Sequence, residues 1–106
     1  MNAEEKELLK QKTIDILRTV YDPEIPVDIW ELGLVYDVSV QDDGKINIVM
    51  TLTTPNCPAA ESLPAQIKHR VSQLEGAQDV NVEVVWEPPW NPQMMSEAAR
   101  LQLGYM

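Results

Sequence analysis

The stretch "LVYDVSVQDDGKINIVMTLT", residues 34–53, decides the fold. In its first half Leu34, Tyr36, Val38 and Val40 alternate with other residues, and in its second half Ile46, Ile48, Met50 and Leu52 do the same. A period of two is that of a half-buried β-strand. Between the halves, Asp42, Asp43 and Gly44 supply tight-turn chemistry with a glycine for positive φ, so the two strands are expected to pair as an antiparallel hairpin.

On the N-terminal side, Leu9, Ile16, Leu17 and Val20 recur at helical spacing from about Ala3 to Val20, and Pro23 and Pro26 end that pattern. The segment "YDPEIPVDIWELG", 21–33, is too rich in proline and acid for a regular element; Val27, Ile29 and Trp30 give it an apolar anchor, so an ordered loop is expected. On the C-terminal side, Ala60, Leu63, Ile67, Val71 and Leu74 predict a second helix with Pro64 in its first turn and Gly76 as its cap. A third strand, "DVNVEVVW", 79–86, points Val80, Val82, Val84 and Trp86 to one face. Residues 87–106 read as a proline-rich tail and a short helix, capped by Ser96 and stopped by Gly104.

Helix, hairpin, helix and strand give an α+β fold. It is a two-layer sandwich in which both helices cover a small three-stranded mixed sheet, with the tail helix appended. The strand–helix–strand crossover is expected to be right-handed, which makes the third strand parallel to the second; the strand order is not fixed by this. The other sheet face carries Val35, Val49 and Val85 beside Ser39, Asn47 and Glu83. That apolar stripe calls for a cover, either the tail or a second subunit, which keeps a homodimer among the expected assemblies. The 106 residues are expected to form a single domain.

Apolar residues make up 44% and charged residues 24%, with no run long enough to span a bilayer and no secretory leader. A cytoplasmic protein is expected. The net charge of -9 opposes phosphate backbones and anionic lipids, so nucleic acid and membrane are not expected partners.

The lone cysteine, Cys57, sits in "TLTTPNCPAAES", 51–62, at the expected strand-to-helix junction. Free backbone amides at a helix start favour thiolate over thiol, which makes the sulfur nucleophilic and metal-competent. A small buried filler at a tight junction accounts for the same spacing, and spacing does not choose between them. A Cys–His dyad is excluded on a continuous helix: the one histidine, His69, lies 12 positions on, roughly 18 Å along the axis. It reads as a solvated side chain. Prolines hold Asp22, Glu24 and Asp28 in a short loop, where they serve either a site or turn chemistry. A thiol enzyme using Asp22 or Asp28 as base is disfavoured, because a neighbouring acid raises a thiol pKa. Met94, Met95, Trp86 and Trp90 suit a cofactor or peptide surface, but packing of the tail onto the core is the stronger reading. An iron-sulfur cluster needs about four ligands, so any cluster here is shared with another chain.

Taken together, "DPEIPVDIWELGLVYDV", "MTLTTPNCP", "VNVEVVWEPPW" and "MMSEAARLQLG" resemble the SufT-like family of iron-sulfur cluster assembly factors. That family includes PaaD-like proteins and the eukaryotic cytosolic iron-sulfur targeting factors. The resemblance implies an assembly-domain fold and a non-enzymatic role in maturing clusters on client apoproteins. Its implied partners are assembly proteins and those clients, with no stably bound cofactor and at most a transient cluster.

Carried over by residue, the family's acidic loop falls on Asp22, Pro23, Glu24 and Asp28, and its Gly-Leu-Val on Gly33, Leu34 and Val35. Its Thr-rich cysteine motif falls on Thr51, Thr53, Thr54, Cys57 and Pro58, and its Pro-Pro-Trp on Pro88, Pro89 and Trp90. Cys57 is thus the implied cluster or thiol site and a transient metal contact, with Thr53, Thr54, Asn56 and Pro58 as its supporting turn. Trp86, Pro88, Pro89 and Trp90 are the implied partner surface. Asn56 stands where many relatives carry glycine, and Asn is the residue other than Gly best able to keep left-handed geometry. A PaaD-like partner subunit of a metabolic enzyme complex is the alternative function; the ending "MMSEAARLQLG" favours the SufT-like one.

Overall fold

A computed structural model describes residues 2–21, 26–53 and 59–104, with 59–61 described by backbone alone. The elements run α1 (Ala3–Leu17), β1 (Val35–Val40), β2 (Lys45–Met50), α2 (Ala59–Val71), β3 (Asp79–Val84), a 3-10 turn (Pro92–Met94) and α3 (Glu97–Leu103). The strand order is β1-β2-β3, with β1 antiparallel and β3 parallel to the central strand. Both long helices pack on one face, α1 against β1 and α2 against β3, and they touch each other. The expected two-layer α+β sandwich is therefore the fold.

α1 starts with a capping box in which the Asn2 side chain accepts from Glu5 N and Glu5 answers to Asn2 N. This satisfies two of the amides that a helix start leaves unpaired. The helix stops at Leu17, three residues before the expected end, yet Val20 remains fully buried because the chain folds back and Ile29 N donates to Val20 O at 2.8 Å. The described part of the loop is ordered around Val27, Ile29 and Leu32, all buried.

Three expectations need correction. In β1 the register shifts between Val35, opposite Met50, and Asp37, opposite Val49. Tyr36 is the extra residue of a bulge, so Val35 joins the core side and the expected outer stripe is reduced to Val49 and Val85. Pro64 is the sixth residue of α2, not in its first turn, and the helix goes on past the missing amide. β3 ends at Val84, so Trp86 leaves the strand and is 43% exposed.

The tail is tied to the loop that precedes β1. Trp90 Nε1 donates to Leu32 O at 2.7 Å, Ser96 N to Glu31 O at 2.8 Å, and the Tyr36 hydroxyl to Pro88 O at 2.6 Å. Met95 and Ala99 enter the same core as the sheet and helices. Ser96 caps α3 and Gly104 closes it at φ +79°, both as expected. Gly33, at φ +80°, faces the tail so closely that a Cβ there would lie 2.2 Å from Met94 O.

Gly33 and Gly104 share a backbone conformation but differ in surroundings, since nothing lies within 4 Å of a Cβ built at Gly104. Gly104→Ala is expected to cost only the left-handed backbone penalty, about 1 kcal/mol. Gly33→Ala adds a clash with backbone and should cost about 3 kcal/mol or more, lowering the melting temperature at least twice as far. Thermal melts of the two variants check this, and equal shifts would refute the tight contact.

Candidate functional site

β2 carries the chain toward the cysteine motif. After Met50 the backbone stays pinned, with Thr51 N donating to Leu34 O at 2.8 Å and Val85 N donating to Met50 O at 2.8 Å. Thr51 and Leu52 are buried, and Thr53 is half-buried. Residues 54–58, which include Thr54, Asn56, Cys57 and Pro58, lie outside the described residues, as do Asp22 and Glu24. The expected approach of the Cys57 sulfur to the acidic loop falls there too.

Of the acids, Asp28 is described. Its Oδ2 accepts from Glu31 N at 3.0 Å and its carbonyl accepts from Leu32 N, while Asp28 itself bridges to Tyr21. The side chain caps the turn that leads to Gly33, which is the turn-chemistry reading of this acid. His69 is exposed, with its Nε2 3.2 Å from the Gln73 amide nitrogen, in keeping with a solvated side chain. Among the described residues no group of three or more His, Cys, Asp or Glu converges to hold a metal ion, and no helix is long and apolar enough to cross a membrane.

What the structure does bring together is the exit of β2 and the segment after β3. Thr51, Leu52, Thr53, Trp86, Pro89 and Trp90 line an open hollow of about 400 Å³. The sequence placed Thr53 in the cysteine turn and the Trp86–Trp90 segment on a partner surface; here they are two walls of one cavity. Trp90 is fixed by its bond to Leu32 O, and Met95 is packed into the core. Pro88 lies outside the cavity and takes the Tyr36 hydroxyl.

Sequence reasoning missed two features. Thr51 Oγ1 is wholly buried without a hydrogen-bond partner, although strand alternation places residue 51 off the core face. Nothing in the periodicity announces it. The second is Tyr36, whose phenol is pushed up by burial; the neighbouring Thr51 hydroxyl opposes this and Glu87 adds to it. The Thr51 and Tyr36 oxygens do not meet in hydrogen-bond geometry, so that influence is the dipole of a close neighbour and not a formed bond.

A family described as "Iron-sulfur cluster assembly protein" matches residues 10–84. A Porphyromonas gingivalis protein named "Fe-S protein maturation auxiliary factor" is 45% identical over 97 residues, covering 92% of each chain. The Staphylococcus aureus "Fe-S protein maturation auxiliary factor SufT" is 44% identical over 85 residues, 80% of this chain and 97% of that one. A crystal structure of a domain of unknown function, DUF59, from Bacillus anthracis superposes with a TM-score of 0.89 at 38% identity, covering 99% of this chain and 100% of that chain.

The Tyr36 environment has a measurable consequence. A phenol raised above its ordinary 10.0 keeps its proton in the folded state after the unfolded chain has lost it. The stability it contributes is therefore complete below about pH 10 and is lost as pH rises through the folded pKa. Subtracting the alkaline absorbance titration of Tyr36→Phe from that of the wild-type protein should leave one phenol titrating above 10. A difference curve centred at or below 10 would contradict the burial assigned to Tyr36.

Proposed function

The chain belongs to the iron-sulfur cluster assembly protein family, and we propose that it acts as a maturation factor, assisting cluster delivery to client apoproteins through protein contacts and the single thiolate of Cys57. One observation carries this reading. The match to proteins named as maturation auxiliary factors runs through 92% of both chains in one case and 97% of the relative in another. In this role the cluster is cargo, Cys57 is the residue that touches it or a partner's thiol, and Asp22, Glu24 and Asp28 border the site.

An adaptor suits the residues better than a thiol enzyme does. Asp28, one of the two proposed bases for such an enzyme, spends its carboxylate on Glu31 N, and the exposed His69 is too far along the chain to serve Cys57. The proposed partners are assembly proteins and client apoproteins in the cytoplasm. Val49 and Val85 stay half-buried, which keeps a second copy of the chain among them. Because Met95 and Ala99 share the core of the sheet, residues 1–106 are taken as one domain that includes its tail.

Cys57→Ser is the direct test. Cells carrying it should lose activity in several unrelated iron-sulfur enzymes under high cluster demand. The variant itself should stay at wild-type abundance, with a melting temperature within about 4 °C of the parent. Unchanged enzyme activities at normal abundance would sink the role given to the thiol, and a change in one metabolite pool alone would favour an enzyme.

Ligand count gives a second expectation. With about four ligands needed per cluster and one cysteine in the chain, anaerobic reconstitution of the monomer without added thiol should yield well under one four-iron cluster per chain. Stoichiometric iron and sulfide on the monomer would overturn the cargo role.

A further inference from the structure

We propose that the outer edge of β3 takes up an extended, basic segment of a partner protein as a fourth strand of the sheet. The inference rests on the adaptor reading above for the source of that segment, and on the edge alone for its chemistry.

The hydrogen-bond phase of the sheet decides which groups of β3 are open. Val85 N donates to Met50 O at 2.8 Å, and Met50 pairs with Val84. In a parallel ladder a residue bonds to the two residues that flank its partner, so Asn81, Glu83 and Val85 turn their backbone groups to β2. Val80, Val82 and Val84 therefore turn theirs outward, and β3 is the last strand of the sheet. Asp79 Oδ1 accepts from Val80 N at 3.0 Å, whereas Val82 and Val84 have no backbone partner on that side among the described residues. The tail leaves them uncovered. After β3 it turns back across the sheet, where Pro88 O meets the Tyr36 hydroxyl and Trp90 Nε1 meets Leu32 O, both on the side of β1.

The two edges of the sheet differ. β1 carries a bulge at Tyr36, which disrupts pairing with a further strand. β3 runs in unbroken register from Asp79 to Val84, with no proline, glycine or lysine to block one.

Charge selects what this edge accepts. From Val71 to Ala99 the chain has no lysine, arginine or histidine, while Glu75, Asp79, Glu83 and Glu87 recur every four residues. On the face turned away from the helices, Lys45 of β2 lies opposite Asp79, but Val49 lies opposite Glu83. The exposed Glu83 carboxylate thus has no cation beside it on β2. A second copy of this chain would bring its own acids and a net charge of -9 to the edge, so charge favours a strand that carries Lys or Arg beside Glu83. On the opposite face Val82 and Val84 are half-buried against the core, which suits apolar side chains at the alternate positions of the incoming strand. Strand addition of this kind draws affinity from the main chain and specificity from alternate side chains.

The test uses the full chain and the capped peptide Thr-Lys-Val-Lys-Val-Lys-Thr, followed through the backbone amide signals of β3. The peptide should move the Val82 and Val84 amide protons downfield, and move those of Asn81 and Glu83, already bonded to β2, much less. A version with Glu in place of Lys, and a version N-methylated at every residue, should each bind at least about tenfold more weakly. Binding should weaken as salt rises. Glu83→Gln should lower affinity about twofold to fivefold, the size of one cross-strand charge pair, without altering the melt. Glu83→Lys should lower it further, whereas Glu7→Lys, the same change in net charge on the exposed side of α1, should leave it nearly unchanged.

Equal losses from Glu83→Lys and Glu7→Lys would reduce the effect to net charge, and full binding by the methylated peptide would mean attraction without strand pairing. Either overturns the proposal. So does the absence of shifts at Val82 and Val84 with about 5 mM peptide, a concentration that would register even millimolar affinity. Concentration-dependent self-association that moves the same two amides without peptide would give the edge to a second copy and overturn it as well. None of these outcomes bears on the iron-sulfur activities of the Cys57 variant, so the proposal and the adaptor reading fail separately.

Discussion

The carbonyl of Met94 lies where a Cβ at residue 33 would have to be, 2.2 Å from its ideal position. Only glycine allows that approach, and through it the tail settles on the loop before β1. The neighbouring bonds from Trp90 to Leu32 O and from Ser96 to Glu31 O then fall into place. Met95 and Ala99 lie in the core just beyond this contact, and Trp90, held to Leu32 O, backs the wall it forms with Trp86 and Pro89. The family match ends at Val84, so this wall is set by residues beyond the matched stretch and held against residues within it.

How much of this was legible in the sequence depended on whether a local period carried the information. The hairpin, the presence of both long helices, the parallel third strand and the caps of α3 each leave a period or a capping residue and were legible, but the helix ends were not: α1 stops at Leu17 short of Val20, and α2 stops at Val71, so Gly76 is not its cap. The bulge at Tyr36 leaves none, because inserting one residue keeps the hydrophobic count while moving Val35 across the sheet. Pro64 was assigned to a first turn on the general cost of proline in helices; α2 begins early enough to place it sixth. Trp86 continues the alternation of β3 by type, yet the strand has already ended at Val84.

The site was less legible than the fold for a related reason. Residue types pointed to Cys57 and the acids, and the family resemblance to the Pro-Pro-Trp, but neither reveals what a side chain is already doing. Asp28 reads in the sequence as either a site acid or a turn residue, and in the structure its carboxylate caps a turn. Thr51 reads as one polar residue among several, yet its hydroxyl is wholly buried in the structure. The joining of Thr53 to Trp86 and Trp90 depends on the parallel pairing of β2 with β3, which places the ends of two distant strands side by side.

That pairing also bears on how a site and its surroundings are coupled. Thr51 N bonds to Leu34 O, Trp90 Nε1 to Leu32 O, and Gln102 Nε2 to Pro26 O at 3.3 Å. Three segments remote in sequence are thus indexed to one loop by single hydrogen bonds, each worth about 0.5–1.5 kcal/mol. Bonds of that size hold a geometry at rest yet yield to a partner's binding energy. Thr51 and Trp90, which both line the hollow, are thereby tied to the same loop that holds Asp28. The loop that holds Asp28 and the wall of the hollow are therefore joined through Leu32 and Leu34, both wholly buried in a close-packed core.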